Sequence, residues 1–258
     1  MRSINLRHKL NLYRHQVVVL LLALICAMPA HAQNESSEHL IDYDAQWIHY
    51  GFAIGLHNAK YKIRYSDAYA TPALDSLHSI VPGNLPGWRV GFVIDMLFAQ
   101  NLSFRILPTV GFYEYDLTYR FTDGRTIQEL KPPTMVELPL LVKYKSARRG
   151  NIAIYTVGGL NPSFEAAGDG DALDTKERLT LRNWNLSVDA GIGFDLYFPL
   201  FKLSPEVRYN WGLRNMLTDE PNTYDIALKR LSYQNIAFYI TFEGGPTYLR
   251  NAMKKKKR

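Results

Sequence analysis

Two histidines, His49 and His57, stand eight residues apart in a stretch that reads as a β-strand, so both rings point to one face. A histidine general base needs a nucleophile and an orienting carboxylate beside it. No Ser, Asp or Glu is placed by the sequence to complete such a set with either ring. A second cluster, Asp169, Asp171, Asp174 and Glu177, sits in the stretch GDGDALDTKE. It fails the calcium-loop pattern, because Leu173 takes the fifth position and Asp174 stands where that loop needs Gly. A solvated loop is the plainer reading. A third set is larger and two-signed: Arg89, Asp95, Arg105, Glu114, Asp116, Glu137, Lys143, Asp189, Asp195, Glu206 and Arg208. Facing water inside a channel, these side chains make an ion path or a catalytic site. Packed against one another, they make a plug of salt bridges. The elements that carry them decide which.

Those elements are strands. In WNLSVDAGIGFDLYF, Trp184, Leu186, Val188, Ala190, Ile192, Phe194, Leu196 and Phe198 form one face. Asn185, Ser187, Asp189, Gly191, Gly193, Asp195 and Tyr197 form the other, a period of two. Eight such segments recur, over 49–65, 87–97, 102–120, 135–145, 151–164, 184–198, 203–213 and 231–243. Most match or exceed the roughly 9–11 residues that a tilted strand needs to cross a bilayer. Their connections alternate in length. Those near 98–101, 146–150 and 199–202 are tight, and those near 66–86, 121–134, 165–183 and 214–230 are long. Short turns on one rim and long loops on the other mark an outer-membrane barrel. The expected fold is therefore all-β: an eight-stranded antiparallel transmembrane β-barrel with short periplasmic turns and long extracellular loops. The apolar faces point to lipid and the charged faces point inward.

The N-terminus fits that compartment. Arg2, Arg7, Lys9 and Arg14 precede the apolar run Val17–Met28, and Ala30 and Ala32 supply the small residues of a cleavage site. Residues 1–32 read as a cleaved signal peptide, 33–48 as a periplasmic segment, 49–243 as the barrel and 244–258 as a basic periplasmic tail. The only cysteine, Cys26, leaves with the signal, so no disulfide is expected. The chain holds 30 basic and 24 acidic residues, and the signal takes four of the basic ones, which leaves 26 − 24 = +2. Lys254, Lys255, Lys256, Lys257 and Arg258 supply five of those, so the body is 21 − 24 = −3 and no nucleic-acid partner is expected. That tail is a candidate partner-binding element; the plainer reading is a solvated end.

Eight strands enclose an interior just wide enough for their own side chains, so the eleven charged residues are expected to pair as a plug. Trp88, Trp184 and Trp211 are placed near the long-loop rim and Trp47 near the other, where amphipathic rings suit the headgroup layer. Pro108, Pro139, Pro162 and Pro205 interrupt the strand pattern, and bulges are expected at them. A bulge at Pro108 turns Tyr113, Tyr115, Leu117 and Tyr119 outward and Glu114 and Asp116 inward. No catalytic, cofactor-binding or metal-binding residue is expected.

Three stretches carry a likeness: VELPLLVKY at Val136–Tyr144, DAGIGFDLYF at Asp189–Phe198 and PEVRYNWGLRNM at Pro205–Met216. With WRVGFVID at Trp88–Asp95 and the basic C-terminus, the chain resembles the PorT/SprT family of Bacteroidota outer-membrane barrels. The resemblance spans essentially the whole mature chain. It implies an accessory part in type IX protein secretion and gliding motility, exporting cargo with a C-terminal sorting domain such as surface proteases. It implies contacts with other secretion-apparatus proteins and no catalytic residues. Outer-membrane lipid and lipopolysaccharide are expected partners of the barrel itself, with divalent-ion or lipopolysaccharide contact the alternative for the acidic loop Asp169–Glu177. Two rival classes stay open on the residues alone: a small solute pore, and an outer-membrane lipid enzyme built on His49 or His57.

Overall fold

Strict alternation dictates long strands, and the computed structural model contains them. It describes residues 38–167, 179, 181–218 and 226–244. The signal at 1–32, the acidic loop at 168–177 and the tail at 254–258 lie outside the described residues. In chain order the strands are β1 (Ile48–Tyr65), β2 (Leu77–Pro82), β3 (Asn84–Ala99), β4 (Leu102–Ile106), β5 (Thr109–Phe112), β6 (Tyr115–Phe121), β7 (Thr126–Lys131), β8 (Thr134–Glu137) and β9 (Leu140–Lys145). They are followed by β10 (Ile152–Ala167), β11 (Trp184–Tyr197), β12 (Lys202–Gly212) and β13 (Leu228–Gly244).

Ten of them close a ring. β1 pairs with β3, which pairs with both β4 and β5; these pair with β9 and β8, which both pair with β10. The ring then runs through β11, β12 and β13 back to β1, every pair antiparallel. β4 with β5, and β8 with β9, are each one wall strand interrupted once, so the barrel has eight staves. β2, β6 and β7 form a separate three-stranded sheet within the long connections of one rim. The sequence pattern suggests loops over 66–86 and 121–134 and one strand over 102–120. In the structure the wall strand ends at Phe112, and the chain continues as the β6–β7 hairpin.

The interruptions fall at two of the prolines, but none of the expected bulges is there. Gly91 pairs with Thr109 and Ile94 with Ile106, so two residues separate the paired positions on each strand. The same equality holds across Pro139 and Pro162, between Ser163–Glu137 and Leu160–Leu140. It holds again beside Pro205, between Gly193–Glu206 and Leu196–Leu203. Each proline removes ladder hydrogen bonds without inserting a residue, so the alternation runs through unbroken. Thr109, Gly111, Tyr113 and Tyr115 therefore keep the inward parity of Arg105, and Leu117 and Tyr119 are buried as well. Glu114 is exposed. The expected outward tyrosines and inward Glu114 are both corrected by this one fact.

The outward faces are apolar and exposed, as at Phe92, Ile192 and Phe238. Trp47, Trp88, Trp184 and Trp211 are all on the outside. Among the described residues no helix is long and apolar enough to cross a membrane, a test that does not bear on crossing by strands.

Candidate functional site

The interior charges are laid down by single strands in alternating order. β12 sends Lys202, Ser204, Glu206, Arg208 and Asn210 inward, and β13 sends Asn235, Tyr239, Thr241 and Glu243. Toward the short-turn rim, Arg105 is the hub. Its Nη2 donates to Asp95 Oδ2 at 2.8 Å and to Glu243 Oε1 at 2.8 Å, and its Nη1 reaches Glu206 Oε2 at 3.3 Å. Lys202 bonds Glu243 at 2.8 Å and lies 3.6 Å from Asp195. Lys143 donates to both oxygens of Asp195 at 2.9 and 2.8 Å, and Ser204 Oγ donates to the same carboxylate.

Glu206 joins this array to the next. It accepts from Arg105, from the Tyr155 hydroxyl and, in a short contact, from Arg208. Arg208 also reaches Asp189, which accepts from Asn210 Nδ2. Toward the long-loop rim, Arg89 donates to Glu137 at 3.1 Å, to the Tyr239 hydroxyl at 2.9 Å and to Asn235 Oδ1 at 3.1 Å. Glu137 further accepts from Asn161 and, in a short contact, from Tyr113. Five cations meet six carboxylates, 5 − 6 = −1, and the carboxylates are shared so that each cation has at least one. Buried charge is tolerated on that condition.

Both ends are stoppered. At the short-turn rim the Tyr43 ring stacks on His49 with centroids 3.9 Å apart, and its hydroxyl donates to Glu243 at 3.1 Å. Burial holds this phenol well above its ordinary pKa, so it stays a donor. At the other end Tyr61, Tyr115 and Tyr233 stack inside a cluster that includes Leu117, Met216 and Leu231. Between the stoppers the interior leaves voids of about 20 Å³ beside Lys143 and about 10 Å³ beside Glu137. Each is room for about one water. The unpaired Oδ1 atoms of Asn161 and Asn185 face the smaller void, and a water there suits them.

Nine of the sequence-assigned residues thus meet in one interior: Arg89, Asp95, Arg105, Glu137, Lys143, Asp189, Asp195, Glu206 and Arg208. Glu114 does not, for the parity reason above. Asp116 is buried, but in β6 of the separate sheet, where its backbone carbonyl accepts from the Gly83 amide and its side chain from Thr118. The tail Lys254–Arg258 lies outside the described residues. Lys202, Glu243 and Tyr43 were not assigned inward by sequence. Lys202 lies one residue before the expected strand 203–213, and Glu243 is the last residue of the expected strand 231–243; both have the inward parity of their strands. Tyr43 precedes the first strand and carries no periodic signal. The two histidines also take their places here: His49 Nε2 lies 2.8 Å from the Tyr43 carbonyl oxygen, and His57 Nδ1 accepts from Arg89 Nε at 3.2 Å. Neither is hydrogen-bonded to a serine or a carboxylate among the described residues, and no group of three or more His, Cys, Asp or Glu there is arranged to hold a metal ion.

The matched family model is described as an outer membrane protein beta-barrel domain, and it fits residues 31–218, through the seventh stave. The chain belongs to this family. It is an outer-membrane β-barrel protein. The last stave, β13, lies beyond the matched range and closes the ring with β1. No curated protein matches the chain. Solved outer-membrane proteins are similar at low identity. OprG from Pseudomonas aeruginosa has 12% identity and a TM-score of 0.44, covering 75% of this chain and 94% of its own. Neisserial surface protein A has 10% and 0.41, covering 76% and 96%. Ail from Yersinia pestis has 11% and 0.32, covering 77% and 99%.

Proposed function

We propose that this barrel is an accessory component of type IX protein secretion, needed for export of cargo with a C-terminal sorting domain and acting through partner contacts. The resemblance to the PorT/SprT family supplies the pathway, and the packed interior supports the mode of action. Among the described residues the charged interior is packed around voids of about 20 and 10 Å³, each room for about one water, which speaks against a path for a solute or a folded protein. Its activity then lies on its surfaces. In this reading the short-turn rim and both termini face the periplasm, and the long loops face the cell exterior. The basic tail Lys254–Arg258 attracts an acidic partner of the apparatus through forces that salt screens.

The test is a strain carrying the chain without Lys254–Arg258, and a second with the loop 168–177 shortened. The tail deletion is expected to lower surface-protease export while the barrel still inserts. Normal export without the tail, with failure of the loop variant, moves the contact to the cell surface. Normal export in a strain lacking the whole chain removes the secretion reading. The rival solute-pore reading expects large stable conductance steps from purified protein in a planar bilayer; the plugged reading expects none.

A further inference from the structure

On the outside of β1 the apolar positions Tyr50, Phe52, Ile54 and Leu56 give way to Lys60, Lys62 and Arg64. The neighbouring β13 changes likewise, from Phe238 and Ile236 to Arg230. Register brings these together, with Lys62 opposite Ser232 and Arg64 opposite Arg230. Beside them opens an outward groove of about 210 Å³ walled by Lys62, Arg64, Arg230 and Trp211, with Ser232 also lining it. It is ten times the larger interior void and lies on the opposite face of the wall.

Three features point to what it holds. Lys60, Lys62, Arg64 and Arg230 have no carboxylate partner among the described residues, whereas nearby Lys229 does, in Asp67. Two rim tryptophans each carry a cation: Lys62 Nζ lies 4.8 Å from the Trp211 ring, and the Arg214 guanidinium lies 3.6 Å from Trp184. A cation resting on an interfacial tryptophan sits where apolar chains end and headgroups begin. Within the groove Arg230 is aimed by donating to the Leu213 carbonyl; Arg214, outside the groove lining, has an Nη1 shielded from solvent without a hydrogen-bond partner.

We propose that this groove binds the phosphorylated sugar headgroup of an outer-leaflet glycolipid of the lipid A class. The guanidinium groups take phosphate oxygens in pairs, Lys62 adds a point charge, and the acyl chains lie down the wall over Leu56 and Ile236. The site gives a place to the lipopolysaccharide partner expected from the sequence, and its outer-leaflet occupancy rests on the orientation proposed above, with the long-loop rim at the cell exterior.

Binding is measured first in detergent, where orientation plays no part. Purified mature protein is titrated by native mass spectrometry with bis-phosphorylated lipid A, with phosphatase-treated lipid A and with phosphatidylglycerol. The wild type is expected to prefer the phosphorylated lipid A by about tenfold over either control, and rising ionic strength weakens that preference. The triple variant Lys62→Ala, Arg64→Ala, Arg230→Ala is expected to lose it, with only a small drop in thermal midpoint in lipid-free micelles, since the side chains are exposed and give up one backbone hydrogen bond and one cation–π contact. Arg120→Ala with Lys131→Ala, basic residues elsewhere at that rim, keeps it. Retained preference in the triple variant overturns the proposal, as does equal binding of phosphatidylglycerol, which marks a general anionic surface. Orientation is read separately by a membrane-impermeant thiol reagent on intact cells. Cys26 is the chain's only cysteine and precedes the predicted cleavage site, so Asp123→Cys on the β6–β7 turn and Asn101→Cys on a short turn are clean reporters. Labelling at 123 supports outer-leaflet occupancy. Labelling at 101 alone overturns both the orientation and that occupancy, while detergent binding still reports on the groove.

Discussion

Arg105 and Asp95 form the interior pair whose loss is most unequal. Asp95 takes two charged hydrogen bonds from Arg105 Nε and Nη2, at 3.1 and 2.8 Å, and Arg105 is its ion-pair partner among the described residues, with Ser103 also beside it. Arg105 also holds Glu206 and Glu243, but those two keep Arg208 and Lys202. Arg105→Met therefore removes the ion-pair partner of Asp95, leaving it Ser103 and the more distant Lys143 and Lys202, and shifts the interior from 5 − 6 = −1 to 4 − 6 = −2. Removing one partner of a buried pair costs about 3–5 kcal/mol. Asp95→Asn keeps an acceptor for the guanidinium and leaves Arg105 two carboxylates, so its expected cost is about 1–3 kcal/mol. In the double variant no carboxylate at 95 is left unpaired. Its cost should stay near that of Arg105→Met alone, with a coupling of about 1–3 kcal/mol. The assay is reversible urea unfolding from lipid vesicles, followed by fluorescence of the four outward tryptophans. Equal single-variant costs, or a coupling of zero, would show that Asp95 does not depend on Arg105 and would refute the plug as described.

Other substitutions probe the wall and the stoppers. Ile192→Lys places a charge on the outward face of β11, where the native side chain is 61% exposed, and should cost about 2–4 kcal/mol if the site is near the bilayer midplane; Ile192→Leu should be neutral in the same titration. Ser187 is no harmless counterpart, because it is buried, donates to the Asn161 carbonyl and accepts from Asn210, so Ser187→Lys should also destabilise. Gly91→Ala sets a Cβ against the Pro108 carbonyl oxygen and 2.6 Å from Thr109 Oγ1, and a loss of about 1–3 kcal/mol is expected. Tyr43→Phe removes the donor to Glu243 at the short-turn mouth and should cost about 1.5–3 kcal/mol, with no change in the proportion of folded barrel at low urea.

The ring of strands was legible because period two needs no knowledge of neighbours. The charged face of β11 could be read residue by residue, and its burial alternates as its letters do. Pro108 was misread for a physical reason. A proline in a ladder can be absorbed by inserting a residue or by giving up hydrogen bonds, and the letters do not distinguish the two. The choice fixed the side of the wall up to Phe112, where the strand ends, and Tyr115, Leu117 and Tyr119 are buried by the separate sheet instead. The β6–β7 hairpin escaped notice because β7 has the sequence TIQELK, whose isolated apolar residues suit a loop as well as a strand. Partner choice within the plug was legible only as a matching of signs. That Arg105 takes three carboxylates while Arg89 takes one depends on the stagger of the staves, which no local pattern encodes.

A closed charged interior also calls for a reason, since apolar side chains of similar volume could fill the same space at lower desolvation cost. The register supplies one. Along β12, Lys202, Glu206 and Arg208 alternate with Leu203, Val207, Tyr209 and Trp211. A slip by one residue against β11 or β13 turns every inward charge to the outside and every apolar residue to the lumen. Near the bilayer midplane each misplaced cation costs about 2–4 kcal/mol, so a slipped β12 loses far more than its ladder could recover. An all-apolar interior lacks that penalty and tolerates slippage. The plug thus acts as a register key for the eight staves. With nearly all the interior charge committed to register, the outward basic groove and the two rims are the surfaces on which a function is built.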